Sequence, residues 1–305
     1  MPLHIDYRPQ DLDELFGNDS LKSSLLSILT REDIPHAFLL TGPSGCGKTT
    51  IGRIIKNMLK CSDEDFYEIN SSNNRGIDTI RDIAQAVNYA PIISDCKVYL
   101  CDEVHGWTKP AMEAILKLLE DCPSHVYFVL CTTDPDKLLK TILTRCTTYQ
   151  VKPLMDKDMM GLLNWVLDCE DKKIPASVMK EIVRVSDGCP RQALVTLDQV
   201  IDIKDEKEAL AAVEAVSIGE AEVLDICKHL ISKGDWNSIR GKVKLILNTT
   251  EPEKLRYAVL NYMKAVLLNS KSHNRASEII DLFSENTYAS GKAGITNMIY
   301  LSSAK

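Results

Sequence analysis

An α/β fold built on a five-stranded parallel sheet and followed by helical domains is predicted by three features of the sequence. Short apolar runs alternate with helical stretches up to about residue 150. A glycine-rich loop of the form GxxxxGK[ST] stands directly between the first of these runs and a helix. Eleven of the twelve prolines lie at or before Pro190, so the last third of the chain is expected to be helices with short connections.

The apolar runs are His36–Thr41, Phe66–Asn70, Val98–Cys101, Val126–Cys131 and Thr147–Val151. Each is four to six residues long, rich in β-branched and aromatic types and apolar on both faces, which suits central strands of a parallel sheet covered by helices. Lys152-Pro153-Leu154 reads as a linker, because proline takes the preceding residue out of the helical region. Beyond it, Leu162, Leu163, Val166 and Leu167, then Val178, Ile182 and Val183, recur at helical spacing. Val223, Ile226, Cys227, Leu230 and Ile231 form a further helical stripe ended by Gly234, and Thr250-Glu251-Pro252-Glu253 offers a capping box for the next helix. Trp165 and Trp236 fall on helical apolar faces and are expected in the core. The division that follows is 1–151, 152–205 and 206–305.

Composition narrows the function. The chain has 305 residues, enough for two or three domains, with 45% hydrophobic and 26% charged residues as in ordinary globular proteins. Lys and Arg number 36 against 43 Asp and Glu, a net charge of −7, so any contact with DNA must be a local basic patch. The ten cysteines are scattered without a CxxC pair and read as buried thiols in a reducing compartment. Neither a leader-like start nor a run of about 18 apolar residues is seen, so an intracellular, soluble protein is expected.

Two motifs carry chemistry. In Gly42-Pro43-Ser44-Gly45-Cys46-Gly47-Lys48-Thr49, glycines let the backbone curl so that successive N–H groups and a helix N-terminus face phosphates. Lys48 would bridge the β and γ phosphates, Thr49 would hold Mg²⁺, and Thr50 continues into the helix. Val98–Cys101 runs into Asp102-Glu103, where Asp102 would orient the metal through water and Glu103 would act as general base. Taken singly, these are also a glycine turn and an Asp-Glu helix start; paired, they imply nucleoside triphosphate hydrolysis.

The segment VYLCDEVHGWTKPAMEAILKLLEDCPSHVYFVLC (Val98–Cys131), with its continuation TTDPDKLLKTILTRC, resembles the AAA+ ATPase subunits of DNA polymerase clamp loaders, especially the bacterial gamma/tau subunit. EINSSNNRGIDTIR (Glu68–Arg81) is similar instead to the small subunits of replication factor C. Tyr7-Arg8-Pro9 with Leu15-Phe16-Gly17 resembles the family's N-terminal segment, which packs near the adenine. The resemblance covers residues from about 5 to about 200 closely.

That resemblance implies an AAA+ P-loop ATPase domain, a helical lid and a C-terminal helical oligomerisation collar. It places Thr133 at sensor 1, Arg145 of Thr144-Arg145-Cys146 at the arginine that reaches a neighbouring subunit's γ-phosphate, and Arg191 at sensor 2. Alone, Arg145 reads as a surface helix cap; the surrounding motif makes it a finger. The bacterial subunit's four-cysteine zinc module has no counterpart in Leu59–Asp65, so zinc is not expected and a small subunit of viral, archaeal or eukaryotic style is suggested. The implied cofactors are ATP and Mg. The implied partners are a sliding clamp, primer-template DNA and other clamp-loader subunits, with no membrane.

For DNA, the loop from Asn73 opens into a helix offering Arg75, Gly76, Ile77 and Arg81, and the resemblance adds Lys109 and Lys117. Arg75, Arg81, Lys109 and Lys117 also suit a plain solvated helix face. His105 reads as a packing or polar loop residue, and Asn70 either restrains Glu103 or makes an ordinary strand-end hydrogen bond. The function expected is an ATPase that opens a clamp and places it on DNA. The alternatives are a nucleotide-binding scaffold without turnover, or an AAA+ DNA motor.

Overall fold

The computed structural model of the chain describes residues 2–71, 74–250, 252–269, 274–287 and 290–303, which separate into two compact units, Met1–Leu210 and Ala211–Lys305. Asn73 and Glu251 lie outside the described residues. Among the described residues no helix is long and apolar enough to cross a membrane.

In the first unit, α1 (Leu3–Asp6) and α2 (Asp19–Leu29) lead into β1 (Ala37–Thr41). Then follow α3 (Lys48–Met58), β2 (Phe66–Asn70), α4 (Ile77–Ala86), β3 (Lys97–Asp102), α5 (Lys109–Glu120), β4 (Val126–Thr132), α6 (Lys140–Leu143) and β5 (Thr147–Gln150). The five strands form one parallel sheet in the order β2-β3-β4-β1-β5. Alternate residues of each strand face opposite sides. Phe38, Leu40, Val98 and Leu100 therefore meet Leu25, Ile51, Ile54 and Ile55 of α2 and α3. On the other face Leu39, Tyr99, Phe128 and Leu130 meet Ile80, Ile83, Met112 and Ile115 of α4 and α5. Each fully buried side chain of this size contributes about 1.5–3 kcal/mol.

Only β1, β3 and β4 are central. β2 and β5 are edge strands whose residues are partly exposed, a correction to the expectation of five central strands: an apolar run shows that a strand has something to bury, not that it has two neighbours. The chain leaves β1 for α3 on one face and leaves β4 for α6 on the other. The crevice of such a sheet opens where adjacent strands send their connections to opposite faces, here at the carboxyl ends of β1 and β4.

α7 (Asp156–Cys169), α8 (Ala176–Ser186) and α9 (Pro190–Val200) follow, packed through Met159, Leu163, Val166, Val178, Ile182, Leu194 and Leu197. Trp165 is not in this core. It is 39% exposed and stands edge-on to Tyr7 at 5.4 Å and tilted against Phe16 at 6.0 Å, so the N-terminal segment claims it.

α10 (Glu206–Ile231) is followed by α11 (Trp236–Thr249), α12 (Pro252–Asn269), α13 (Asn274–Leu282) and α14 (Gly291–Ser303). The second unit has its own core of Ile226, Leu230, Ile246, Val259, Met263, Ile279, Phe283, Ile295 and Ile299, with Trp236 on its rim, edge-on to Tyr300 at 5.5 Å. The expected capping box includes Glu251 and so falls partly outside the described residues; what is described is a longer-range tie. Glu253 Oε2 accepts from Thr287 N at 2.8 Å and Thr287 Oγ1 at 2.6 Å, while Oε1 accepts from Arg256 Nε at 2.8 Å. Arg256 is itself buried and donates to the Phe283 carbonyl at 2.7 Å.

The Arg256 guanidinium, with the Thr287 donors, holds the Glu253 carboxyl down at about 2, against an ordinary 4.5. Its stabilising effect is full above the ordinary value and is lost as pH falls through about 2. Glu253→Gln should therefore cost about 1–3 kcal/mol in urea unfolding at pH 7. The difference from the parent should shrink as pH is lowered through that window.

Candidate active site

The phosphate loop begins where β1 ends. Gly42 has φ +146°, and a Cβ there would lie 2.2 Å from the Val151 carbonyl oxygen, so only glycine lets the loop pass the end of β5. Gly45, at φ +74°, faces the Cys189 sulfur at 2.5 Å from an ideal Cβ, and the Cys189 thiol donates to the Ser44 carbonyl at 3.7 Å. The loop is thus packed between Val151, at the end of β5, and the start of α9. Lys48, 5% exposed, donates to the carbonyls of Gly42 and Pro43 at 2.9 Å each. Gly47 caps α3 in the left-handed region, and Thr49 and Thr50 occupy its first turn. The result is a buried lysine held by the glycine-rich loop at a helix N-terminus, an arrangement that favours an anion.

β3 delivers the two carboxylates. Asp102 Oδ2 accepts from Thr49 Oγ1 at 2.6 Å and Oδ1 accepts from the Glu103 amide at 2.9 Å. Glu103 adopts left-handed backbone, φ 54° and ψ 40°, a conformation that costs a non-glycine residue about 1 kcal/mol or more. This turn sends its side chain toward the tip of β4, where Thr133 Oγ1 donates to Oε2 at 3.4 Å and His105 Nδ1 lies 3.3 Å away. His105 Nδ1 is also 3.1 Å from Thr132 Oγ1. Thr133, expected at sensor 1, and Glu103, the expected general base, are therefore neighbours.

Tyr7, Arg8 and Pro9 line the same cleft as Gly45, Gly47, Lys48, Thr49, Thr50, Asp102 and Glu103, and so do Pro190, Arg191 and Leu194 of α9. Tyr7 donates to Glu170 Oε1 at 2.6 Å, and this bond pushes its hydroxyl up to about 12. Burial, then the Arg53 and Arg191 guanidiniums, pull Arg8 below its ordinary value. Arg53 pairs with Glu68 at 2.7 Å, and both line the cleft. Sequence reasoning missed this pair. Arg53 stands one helical turn after Thr49, a spacing that puts both on one face of α3, but nothing local links it to Glu68 on β2.

Arg145 is not in the cleft of its own chain. It is exposed at the end of α6, where Nη1 donates to the Thr141 carbonyl at 3.1 Å and Nη2 pairs with Glu120. The DNA candidates form a separate group. Gly76 is the N-cap of α4 and Ile77 its first residue; Arg81 pairs with Asp78 at 2.9 Å on an exposed face. Thr108 caps α5 and its amide donates to the Arg75 carbonyl at 3.0 Å, so the N-termini of α4 and α5 lie side by side with Lys109 at the second of them. Arg75, Lys109 and Lys117 are exposed.

Residues 55–155 match the sequence family described as DNA polymerase III, delta subunit. The chain is 31% identical over 287 residues to the DNA polymerase III subunit tau of Bacillus subtilis, covering 86% of this chain and 51% of that protein. It is 32% identical over 316 residues to the tau subunit of Escherichia coli, covering 90% and 49%. The chain thus spans about half the length of these relatives. In fold it is similar to the Thermotoga maritima RuvB Holliday junction branch migration motor, with a TM-score of 0.61 at 21% identity over 78% of this chain and 85% of that one.

If the approach of Gly42 to Val151 shapes the loop, Gly42→Ala should lower the affinity for a fluorescent adenine nucleotide at least tenfold in an equilibrium titration. Gly241→Ala, in α11 with nothing within 4 Å of the added methyl, should leave it unchanged.

Proposed function

Because the chain has an AAA+ P-loop fold and belongs by sequence with the clamp-loader gamma and tau subunits of DNA polymerase III, we propose that it is an ATPase subunit of a sliding-clamp loader. The observation that carries this is the meeting of Lys48, Thr49, Asp102, Glu103 and Thr133 at the carboxyl ends of β1, β3 and β4, with Arg191 on the cleft wall and Arg145 outside it. A constellation complete but for one cation suits catalysis shared between subunits.

ATP would lie with its base against Tyr7-Arg8-Pro9 and its phosphates on the loop amides and Lys48. Thr49 and, through water, Asp102 fit a hard divalent cation such as Mg²⁺, which would neutralise charge on the β and γ phosphates. Glu103 takes a proton from the attacking water as its oxygen bonds to the γ-phosphorus and the bond to the β–γ bridging oxygen breaks, leaving ADP and phosphate. Thr133 orients Glu103 and the water. Arg191 stabilises charge on the phosphates from the α9 side, and a neighbour's Arg145 supplies the donor that develops its full effect in the transition state.

In this account residues 1–151 are the ATPase domain, 152–205 a lid and 206–305 an oligomerising collar. ATP binding closes adjacent subunits into a spiral around an open clamp, primer-template DNA enters, and hydrolysis releases the closed clamp. The paired N-termini of α4 and α5 would present amides, Arg75, Arg81 and Lys109 to the phosphate backbone, reading duplex shape without reading sequence.

Arg145→Ala should leave nucleotide affinity unchanged and lower ATP turnover in the assembled complex by about 10³-fold or more. Loss of binding to the same degree contradicts a role in trans. Reversing the charge of Arg75 and Arg81 together should weaken junction binding and flatten its dependence on log salt by about one unit for each lost phosphate contact. An unchanged slope removes them from the DNA path.

A further inference from the structure

Arg145 does not wave freely at the end of α6. Its two terminal amino groups are held separately, one by the Thr141 carbonyl and the other by Glu120. Glu120 is the last residue of α5, a helix fixed at its start by the Thr108 cap, then by buried Ala111, Met112 and Ile115, and toward its end by partly buried Leu116, Leu118 and Leu119. The same helix follows the catalytic carboxylates after the short turn Val104–Gly106. Its 12 residues make a strut of about 18 Å from the subunit's own hydrolytic edge to the arginine it would offer its neighbour.

We propose that Glu120 is a positioning residue for Arg145. This rests on Arg145 acting in trans. A guanidinium has five N–H donors in a rigid fork, and Thr141 and Glu120 engage one on each terminal nitrogen. Among the described residues nothing else engages the remaining donors, so the pair fixes the plane of the fork without consuming it. The side chains are 33% and 47% exposed, which keeps the pair within reach of another subunit. An ion pair this exposed is too weak to withhold the arginine from a triphosphate, so its effect is to remove rotamer freedom from a long side chain before the neighbour arrives. α5 thereby links the state of the subunit's own carboxylates and helix N-terminus to the placement of its donated arginine.

The test uses the full chain in the assembly formed with the subunits that co-purify with it, with primer-template DNA present. Glu120→Ala should lower kcat for ATP about three- to tenfold with KM and nucleotide affinity unchanged. Glu120→Gln, which keeps an acceptor oxygen, should lie between this variant and the parent, and it serves as the test if the alanine variant does not fold. In an Arg145→Ala background the Glu120 substitution should add nothing. An unchanged or raised kcat on removing Glu120, or an equal loss in the Arg145→Ala background, overturns the positioning role. If Arg145→Ala itself leaves turnover intact, the reading in trans has failed and the role of Glu120 falls with it.

Discussion

The hydrogen bond from Thr49 Oγ1 to Asp102 Oδ2, 2.6 Å long, joins the first turn of α3 to the tip of β3 across the end of β4. A hydroxyl donating to a carboxylate makes a short, strong bond, and this one fixes the distance between the glycine-rich loop and the carboxylates of β3. β1 and β3 are not neighbours; each pairs with β4, so their tips stand about 9–10 Å apart, two strand spacings. Thr133 and Glu103 occupy the space between. The bond forms only if α3 starts close to the sheet, which requires the loop to pass Val151 without a side chain at Gly42. Local backbone chemistry and sheet topology therefore set the same geometry.

Much of this was legible in the sequence because it depends on local spacing. Phosphate-loop residues are consecutive, and β1, β3 and β4 are buried on both faces, so their runs of Phe38–Leu40, Val98–Cys101 and Phe128–Cys131 are unbroken by polar residues. What stayed hidden depends on partners distant in the chain. Phe66–Tyr67 looks like a central strand until β2 is seen to be an edge, and Trp165 lies on an apolar stripe but packs on Tyr7 and Phe16. The left-handed backbone of Glu103 has no signature in its residue type, and neither the Arg53–Glu68 pair nor the Arg145–Glu120 pair has a local spacing that announces it.

The two compact units differ in what they offer to function. All the residues around the cleft belong to the first, whereas the second has its own core, with Arg256 buried there against Glu253 and the Phe283 carbonyl. Likeness to RuvB at 21% identity speaks for a shared fold and not for a motor; the tau relatives, at 31–32% over most of this chain, favour the clamp-loader proposal.

In the proposed mechanism the cleft of a single chain is one cation short, the missing one being a neighbour's Arg145. ATP turnover per subunit, measured on strictly monomeric protein and on the assembled complex at equal nucleotide saturation, tests it most directly. We expect the monomer to bind nucleotide and to hydrolyse it at least 10³-fold more slowly than the assembly. Equal turnover by the monomer would contradict the account.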